Sequence, residues 1–500
     1  MQKRRGGRFF RAFRGNNRGM KILYENCVLP LSGARRFAVE DGKFVRPLPP
    51  FGRVCDLNGA AVLPAFLDAH SHLLAYAVSL TQADGAACRT AGDYAACAEK
   101  FARAHGAGKE TLVTIRNADV FPDPAALDRV PRPLHLQARS GHAGMFNGAA
   151  RALLGLEKAG VLEETDYIAA TKKVPMPAED ELFRAFAQAQ RDYIAHGFSL
   201  AQEGVFPRTM FPVYAALCER DMLRLDVVAY PPPEDFDDAV RAFPPDKKSR
   251  LSIGGMKIFL DGSPQQRTAF LREPYRGGGR GVQTMTEAEV SEACAFAAAR
   301  GAQLLAHCNG DGAAEIFLNA LARLPDGARR DIRPVLIHGQ IVGDDQLSRA
   351  AALGVTLSFF PAHVRHWGDA HLKNLGRERA ERISPARTAL DRGARVTLHQ
   401  DTPVCAPDPL EAAACAVLRR TAGGETFRKE AITVREALTA LTGSAAAQYG
   451  LRGRGRIAEG GKADFLLLGD DPLALPPERL ERVKINAVFL DGRCAFRRTP

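Results

Sequence analysis

Short apolar runs, bounded by glycine, proline or charge, alternate along most of the chain with alanine-rich stretches of helical period. Runs of that length suit buried parallel strands, and the stretches between them suit crossover helices, so the pattern predicts an α/β fold. Eight runs read as strands: 61–68, 198–203, 224–230, 255–261, 303–307, 334–338, 355–359 and 395–401. Helical period fills several intervals, as at 286–300 and 310–324, and the first of these opens with Thr286-Glu287-Ala288-Glu289, a pattern resembling a capping box. The economical assembly is a (β/α)8 TIM barrel.

Two regions do not fit a bare barrel. The stretch 73–195 is too long for one crossover and carries its own strand-like runs at 112–116 and 133–139, which predicts an insertion after strand 1 that covers the barrel mouth and shapes the pocket. Residues 20–60 and 453–500 are rich in short strands and are expected to pair into one small composite β-sandwich domain around a barrel at 61–452.

With 500 residues, 46% of them hydrophobic, the chain can bury a core of that size. The net charge of +11 raises the question of a nucleic-acid partner, yet residues 1–19 hold seven Lys or Arg and no acid, and without these seven the balance is +4. The segment reads as a disordered tail or a misassigned start ahead of Met20 rather than as a nucleic-acid arm. The ten cysteines form no C-x-x-C pair and read as reduced thiols, and no apolar run is long enough for a membrane span or a secretory signal. The expectation is a soluble, cytoplasmic protein with a small-molecule substrate and neither nucleic acid nor membrane as partner; a homodimer is left open.

The candidate chemistry sits at the ends of the predicted strands. In Phe66-Leu67-Asp68-Ala69-His70-Ser71-His72 the two imidazoles lie two residues apart, so at the end of an extended strand they point to one side and can chelate one metal ion. H-x-H by itself is a weak signal, equally at home in a loop. The later strands add to it: 304–307 and 335–338 each finish on a histidine, His307 and His338, and the last run finishes on Asp401. Imidazole and carboxylate suit zinc or a similar divalent ion, and such groups are tolerated near a core when coordinated or paired. Lys257 lies inside the apolar run Gly255-Met256-Lys257-Ile258-Phe259, where an unpaired ammonium is costly. Two readings stand: a lysine that snorkels or pairs with Asp261, or a carbamylated lysine whose carboxylate bridges two metal ions.

This set resembles the amidohydrolase superfamily, and the words around it resemble its YtcJ-like branch, which includes N-substituted formamide deformylase. The matching words are Leu67-Asp68-Ala69-His70-Ser71-His72, Gly141-His142 with Asn147, Lys257-Ile258-Phe259-Leu260-Asp261-Gly262-Ser263, His307-Cys308-Asn309-Gly310-Asp311, Ile337-His338-Gly339-Gln340, Asp401-Thr402-Pro403-Val404 and Gly460-Gly461-Lys462-Ala463-Asp464-Phe465. The resemblance implies that His70, His72 and Asp401 hold one ion and His307 and His338 a second, with Lys257 bridging if carbamylated; a single-ion site using a subset stays open. Zinc is the first expectation, and iron and manganese accept the same ligands. A bound ion makes its water acidic enough to attack at neutral pH, Asp401 would act as general base and acid, and either the ion or a donor such as His142 would polarise the carbonyl. The implied reaction is hydrolysis of a non-peptide, amide-type C–N bond; an ester or lactone hydrolase, an isomerase and a non-catalytic regulatory protein on the same scaffold are the alternatives.

Three further features bear on the substrate. Asn147 belongs to the matching words and is expected at the pocket. His399 departs from the commonest pattern and shares a face with Asp401, so it either lines the pocket or makes a structural hydrogen bond. The segment 359–369, read as a loop after strand seven, offers His363 and Trp367 for substrate contact, with His366 at the surface.

Overall fold

The computed structural model describes residues 19–246 and 249–499, so all but the last residue of the basic segment 1–19 lies outside the described residues. The chain divides into two compact units, one of Met1–His72, Gln190–Asp401 and Cys405–Pro500, the other of Leu73–Ala189 and Thr402–Val404.

In the first unit, strands from both chain ends share one seven-stranded sheet. Its centre is the long strand Arg53–Pro64, which pairs in parallel with Ile22–Val28 and antiparallel with Phe465–Leu468. Alternation puts Tyr24, Phe37, Phe465 and Phe489 on one face, where Tyr24 stacks on Phe37 (4.9 Å) and Phe465 on Phe489 (4.4 Å). The run predicted at 61–68 is therefore split: 61–64 belongs to this sheet, and Phe66–Leu67 alone turns into the next one.

The remaining strands of the unit are parallel and fall into two sheets, one of four strands (Phe66–Leu67, Phe198–Glu203, Asp226–Ala229, Leu251–Ile253) and one of five (Gly255–Phe259, Gln303–Cys308, Val335–His338, Thr356–Phe359, Arg395–Leu398). Their near-continuous burial, as in Gln303–Cys308, explains why apolar runs located them. The two sheets meet at Gly254, where an added Cβ would lie 2.4 Å from Val228 Cγ1; the Gly254 N–H bonds the Ala229 carbonyl (2.9 Å) and the Lys257 N–H the Pro231 carbonyl (3.0 Å). At the opposite edges the described residues show no strand pairing. There the Gln448 side chain spans the gap, accepting from Thr397 Oγ1 and donating to the Ala69 carbonyl, each at 2.7 Å. The strand pairing thus forms two parallel arcs in place of the single closed sheet expected.

Helices cover the arcs. Glu287–Arg300 begins at Thr286 with the capping box anticipated, Thr286 and Glu289 satisfying each other's backbone N–H groups. The segment expected as a loop after Phe359 is instead the helix Ala362–Leu375, which follows Pro361, a residue suited to a helix start.

The second unit has its own five-stranded sheet, in the order Val161–Glu163, Ala143–Phe146, Leu134–Gln137, Val113–Arg116, Ala83–Asp84, with a core that includes Tyr94, Ile115, Leu134 and Leu136. No disulfide joins the cysteines of the described residues, and no helix among these residues is long and apolar enough to cross a membrane.

Candidate metal centre

His70, His72 and Asp401 converge just beyond the strand ends. They form the only group of three or more candidate ligands among the described residues, with ligand atoms all within 4.8 Å of one another. Asp401 Oδ1 makes no hydrogen bond, yet lies 3.5 Å from His70 Nε2 and 3.4 Å from His72 Nε2.

The protonation of His70 follows from its neighbours. Gln202 Nε2 donates to the Ala69 carbonyl (3.0 Å), which can only accept, so the amide oxygen of Gln202 is the atom that faces His70 Nδ1 at 2.6 Å. Nδ1 therefore carries the hydrogen, and Nε2 turns a bare lone pair toward an anionic oxygen. Burial keeps the His70 ring well below the ordinary histidine range, so protonation does not relieve the repulsion. Lone pairs that face each other at this distance fit a cation among them. Room for the ring comes from Gly204, where a Cβ would stand 2.6 Å from His70 Cε1.

His338 stands beside this group, its ring 5.5 Å from that of His70 and its Nε2 3.8 Å from Asp401 Oδ2. Both His338 (φ 75°) and Asp401 (φ 51°) adopt left-handed backbone conformations unusual for residues with a Cβ, at an expected cost on the order of 1–3 kcal/mol each. His307 is next, 4.6 Å from His338 between ring centroids. Its Nε2 faces the Gly262 carbonyl at 3.2 Å and Asn309 Nδ2 at 3.0 Å.

Lys257 is 2% exposed and its Nζ has no hydrogen-bond partner, lying 5.0 Å above the Phe259 ring. The anticipated pairing with Asp261 is absent, because that carboxylate accepts the backbone N–H groups of Asn309 (2.9 Å), Gly310 (2.7 Å) and Phe270 (3.1 Å). Burial lowers the Lys257 amine to about 7, against the pull of the Asp401 charge.

The residues expected at the substrate fare differently. Asn147 is fully buried in the second unit with every hydrogen-bonding position filled: Oδ1 accepts from Leu134 N (2.9 Å) and Ala150 N (3.0 Å), and Nδ2 donates to the carbonyls of Val130 (2.9 Å) and Arg132 (2.8 Å). It caps the helix Gly148–Leu154 and has nothing left to offer a ligand. His142 also lies in the second unit, its Nδ1 2.9 Å from Glu164 Oε2. His399 is buried, with Nδ1 2.9 Å from Ser358 Oγ and Nε2 3.2 Å from His338 Nδ1, so both nitrogens are taken within the protein and its place is behind His338. His363 is buried 3.1 Å from Gln340 Nε2, and the half-buried Trp367 packs on it with ring centroids 5.1 Å apart. His366 is half-buried and packs on Trp367 at 5.6 Å. Gln202, Gly204 and Ser358 escaped the sequence reading. The one signal for Gln202 was a polar residue inside the buried run Phe198–Glu203.

Residues 53–496 match the model of the amidohydrolase family. The chain belongs to this family. Among similar proteins, YtcJ of Bacillus subtilis (strain 168) is 26% identical over 483 residues, covering 89% of this amidohydrolase and 90% of the relative. The N-substituted formamide deformylase of Arthrobacter pascens is 25% identical over 494 residues, covering 90% and 91%. The fold is shared with an uncharacterized metal-dependent hydrolase of Pyrococcus horikoshii (TM-score 0.77, 22% identity, covering 92% of this chain and 99% of that one). A counterpart in Pyrococcus furiosus gives a TM-score of 0.74 at 23% identity, covering 91% and 100%.

Proposed function

We propose that this amidohydrolase is a metal-dependent enzyme that hydrolyses an amide-type C–N bond in a small molecule, on a barrel formed by the two parallel arcs. One observation carries the reading: the bare Nε2 lone pair of His70 and Nε2 of His72 surround an Asp401 oxygen that makes no hydrogen bond. His70, His72 and Asp401 would hold one divalent ion, zinc being the first choice, and His338, His307 and a carbamylated Lys257 would complete a second position. A divalent ion supplies Lewis acidity there and makes water acidic enough to attack a carbonyl at neutral pH.

The chain's own residues do the rest. Asp401, ionised and at the rim, accepts the proton of the attacking water and returns it to the nitrogen of the departing amine. Gln202 fixes the His70 tautomer, and His399 does the same for His338. Phe259, exposed beside His307, offers an apolar surface to the substrate.

The test is metal content together with hydrolysis of a panel of N-substituted formamides, esters and lactones, the formamides chosen for the name of the Arthrobacter relative. Asp401→Asn is expected to lower kcat by about 10²–10⁴-fold on the amide substrates, and His70→Ala to abolish metal binding. Wild-type turnover in both variants would exclude the reading, and turnover confined to esters or lactones would replace the C–N bond with a C–O bond.

A further inference from the structure

His70 follows the strand Phe66–Leu67 and Asp401 follows Arg395–Leu398, and these strands are the edges of the two arcs that no pairing joins among the described residues. Two consecutive residues at the end of the helix Gly443–Gln448 stand in for that pairing. Gln448 Nε2 donates to the Ala69 carbonyl, so its Oε1 is the atom that accepts from Thr397 Oγ1, each at 2.7 Å. The Gln448 carbonyl accepts from Gln303 Nε2 (2.7 Å), on the strand that holds His307. Tyr449 is buried, and its hydroxyl donates to the Asp68 carbonyl and accepts from Gln202 Nε2 at 2.8 Å.

These contacts decide which way round the Gln202 amide sits. Of the two hydrogens on Nε2, one goes to the Ala69 carbonyl (3.0 Å) and the other to the Tyr449 hydroxyl (2.8 Å). The Asp68 carbonyl can only accept, so it engages the hydroxyl hydrogen and leaves Gln202 a lone pair. Both acceptors keep Nε2 on their side, and Oε1 faces His70 Nδ1 at 2.6 Å. Turned over, the amide would set Oε1 against the Ala69 carbonyl and would donate to Nδ1. His70 would then carry its hydrogen on Nε2, the atom 3.5 Å from Asp401 Oδ1, and lose the lone pair that an ion needs.

We infer that Tyr449 is a positioning residue of the metal centre: its hydroxyl locks the Gln202 amide, and through it the tautomer in which His70 can bind an ion. This deepens the metal-dependent reading and rests on it. Tyr449 acts through Gln202 and not on the ion itself. One turn of chain thus ties the His70 strand to the Asp401 strand, through Gln448, and sets which nitrogen of His70 is bare, through Tyr449.

The test is the zinc affinity of the full chain, read by chelator competition well below the unfolding temperature. Tyr449→Phe keeps the ring and removes only the hydroxyl, and is expected to weaken zinc binding by about tenfold. In a Gln202→Leu background no amide remains to be locked, so the same substitution is expected to change affinity by less than about twofold. Gln202→Met provides a second background of the same kind. Wild-type zinc affinity in Tyr449→Phe, whatever its unfolding temperature, overturns the inference and leaves the metal centre standing. A tenfold loss repeated in both backgrounds also overturns it, because the hydroxyl would then act on the fold and not through Gln202. Unaltered protein that takes up neither zinc, iron nor manganese defeats the metal-dependent reading and the inference with it. The expected pattern of affinities without hydrolysis of any amide upholds the role of Tyr449 and defeats only the C–N bond.

Discussion

His338 and His399 meet nitrogen to nitrogen, with Nε2 of His399 3.2 Å from Nδ1 of His338 and Ser358 Oγ 2.9 Å from the far nitrogen of His399. Burial keeps His399 at about 3 and His338 well below the histidine range, so neither ring is charged at neutral pH and the contact needs one donor and one acceptor. If His338 donates from Nδ1 and His399 donates onward to Ser358, Nε2 of His338 is left bare on the Asp401 side. His399→Ala removes the acceptor and frees the His338 tautomer. Zinc affinity, read by chelator competition, is expected to fall by about 10–100-fold, and His399→Gln, which can still accept, to recover part of it. Wild-type affinity in both variants would show that His399 only fills space.

Gln202 stands in the same relation to His70. Gln202→Leu leaves Nδ1 of His70 without its acceptor and strips a hydrogen bond from the Ala69 carbonyl. Zinc affinity is expected to drop by about 10–100-fold, measured well below the unfolding temperature so that lost stability does not imitate lost binding. A variant that unfolds earlier yet titrates with zinc like the wild type would assign Gln202 to the fold alone.

What could be read from sequence was what one segment says about its own burial. His70, His72, His307, His338 and Asp401 were legible because each ends an apolar run, and an ionisable group at the end of a buried strand requires a partner. Lys257 was legible for the same reason, its cost being visible from the apolar residues around it. Gln202 was not, since its meaning lies in a contact 132 residues away and glutamine carries no chemistry that marks it. Asn147 misled because membership of a shared word does not distinguish a residue that touches ligand from one that holds four backbone groups in place. His399 was expected on the face of Asp401, but face alone does not say whether Ser358 and His338 stand in front of it. The helix Ala362–Leu375 was missed because two histidines, an arginine and a tryptophan after Pro361 blur the apolar period that marks a helix.

Asn147 supplies a test of that correction. Asn147→Ala removes four hydrogen bonds from buried backbone groups and the cap of Gly148–Leu154, and each unsatisfied group costs on the order of 1 kcal/mol or more. Thermal unfolding is expected to shift down by several degrees, while KM for any substrate found stays at the wild-type value in the folded protein. A raised KM with unchanged stability would return Asn147 to the pocket.

His371 gives the protein a built-in sensitivity to acid. It is fully buried in the helix Ala362–Leu375, neither ring nitrogen has a hydrogen-bond partner, and burial holds it at about 3. In the unfolded chain the ring titrates near its ordinary value of about 6.5. Between these two values the unfolded state binds a proton that the folded state refuses, so stability falls as pH drops from about 6.5 toward 3 and is unaffected by this group above that window. His371→Leu replaces an unsatisfied polar ring with an apolar side chain, so it is expected to be neutral or stabilising at pH 7 and to gain on the wild type steadily as the pH is lowered. Denaturant unfolding of both proteins at pH 7, 6 and 5, each loaded with zinc, isolates the effect, because protonation of the metal-binding histidines is common to the pair. Parallel losses in the two proteins would mean that His371 finds a partner for its charge and that the acid sensitivity arises elsewhere.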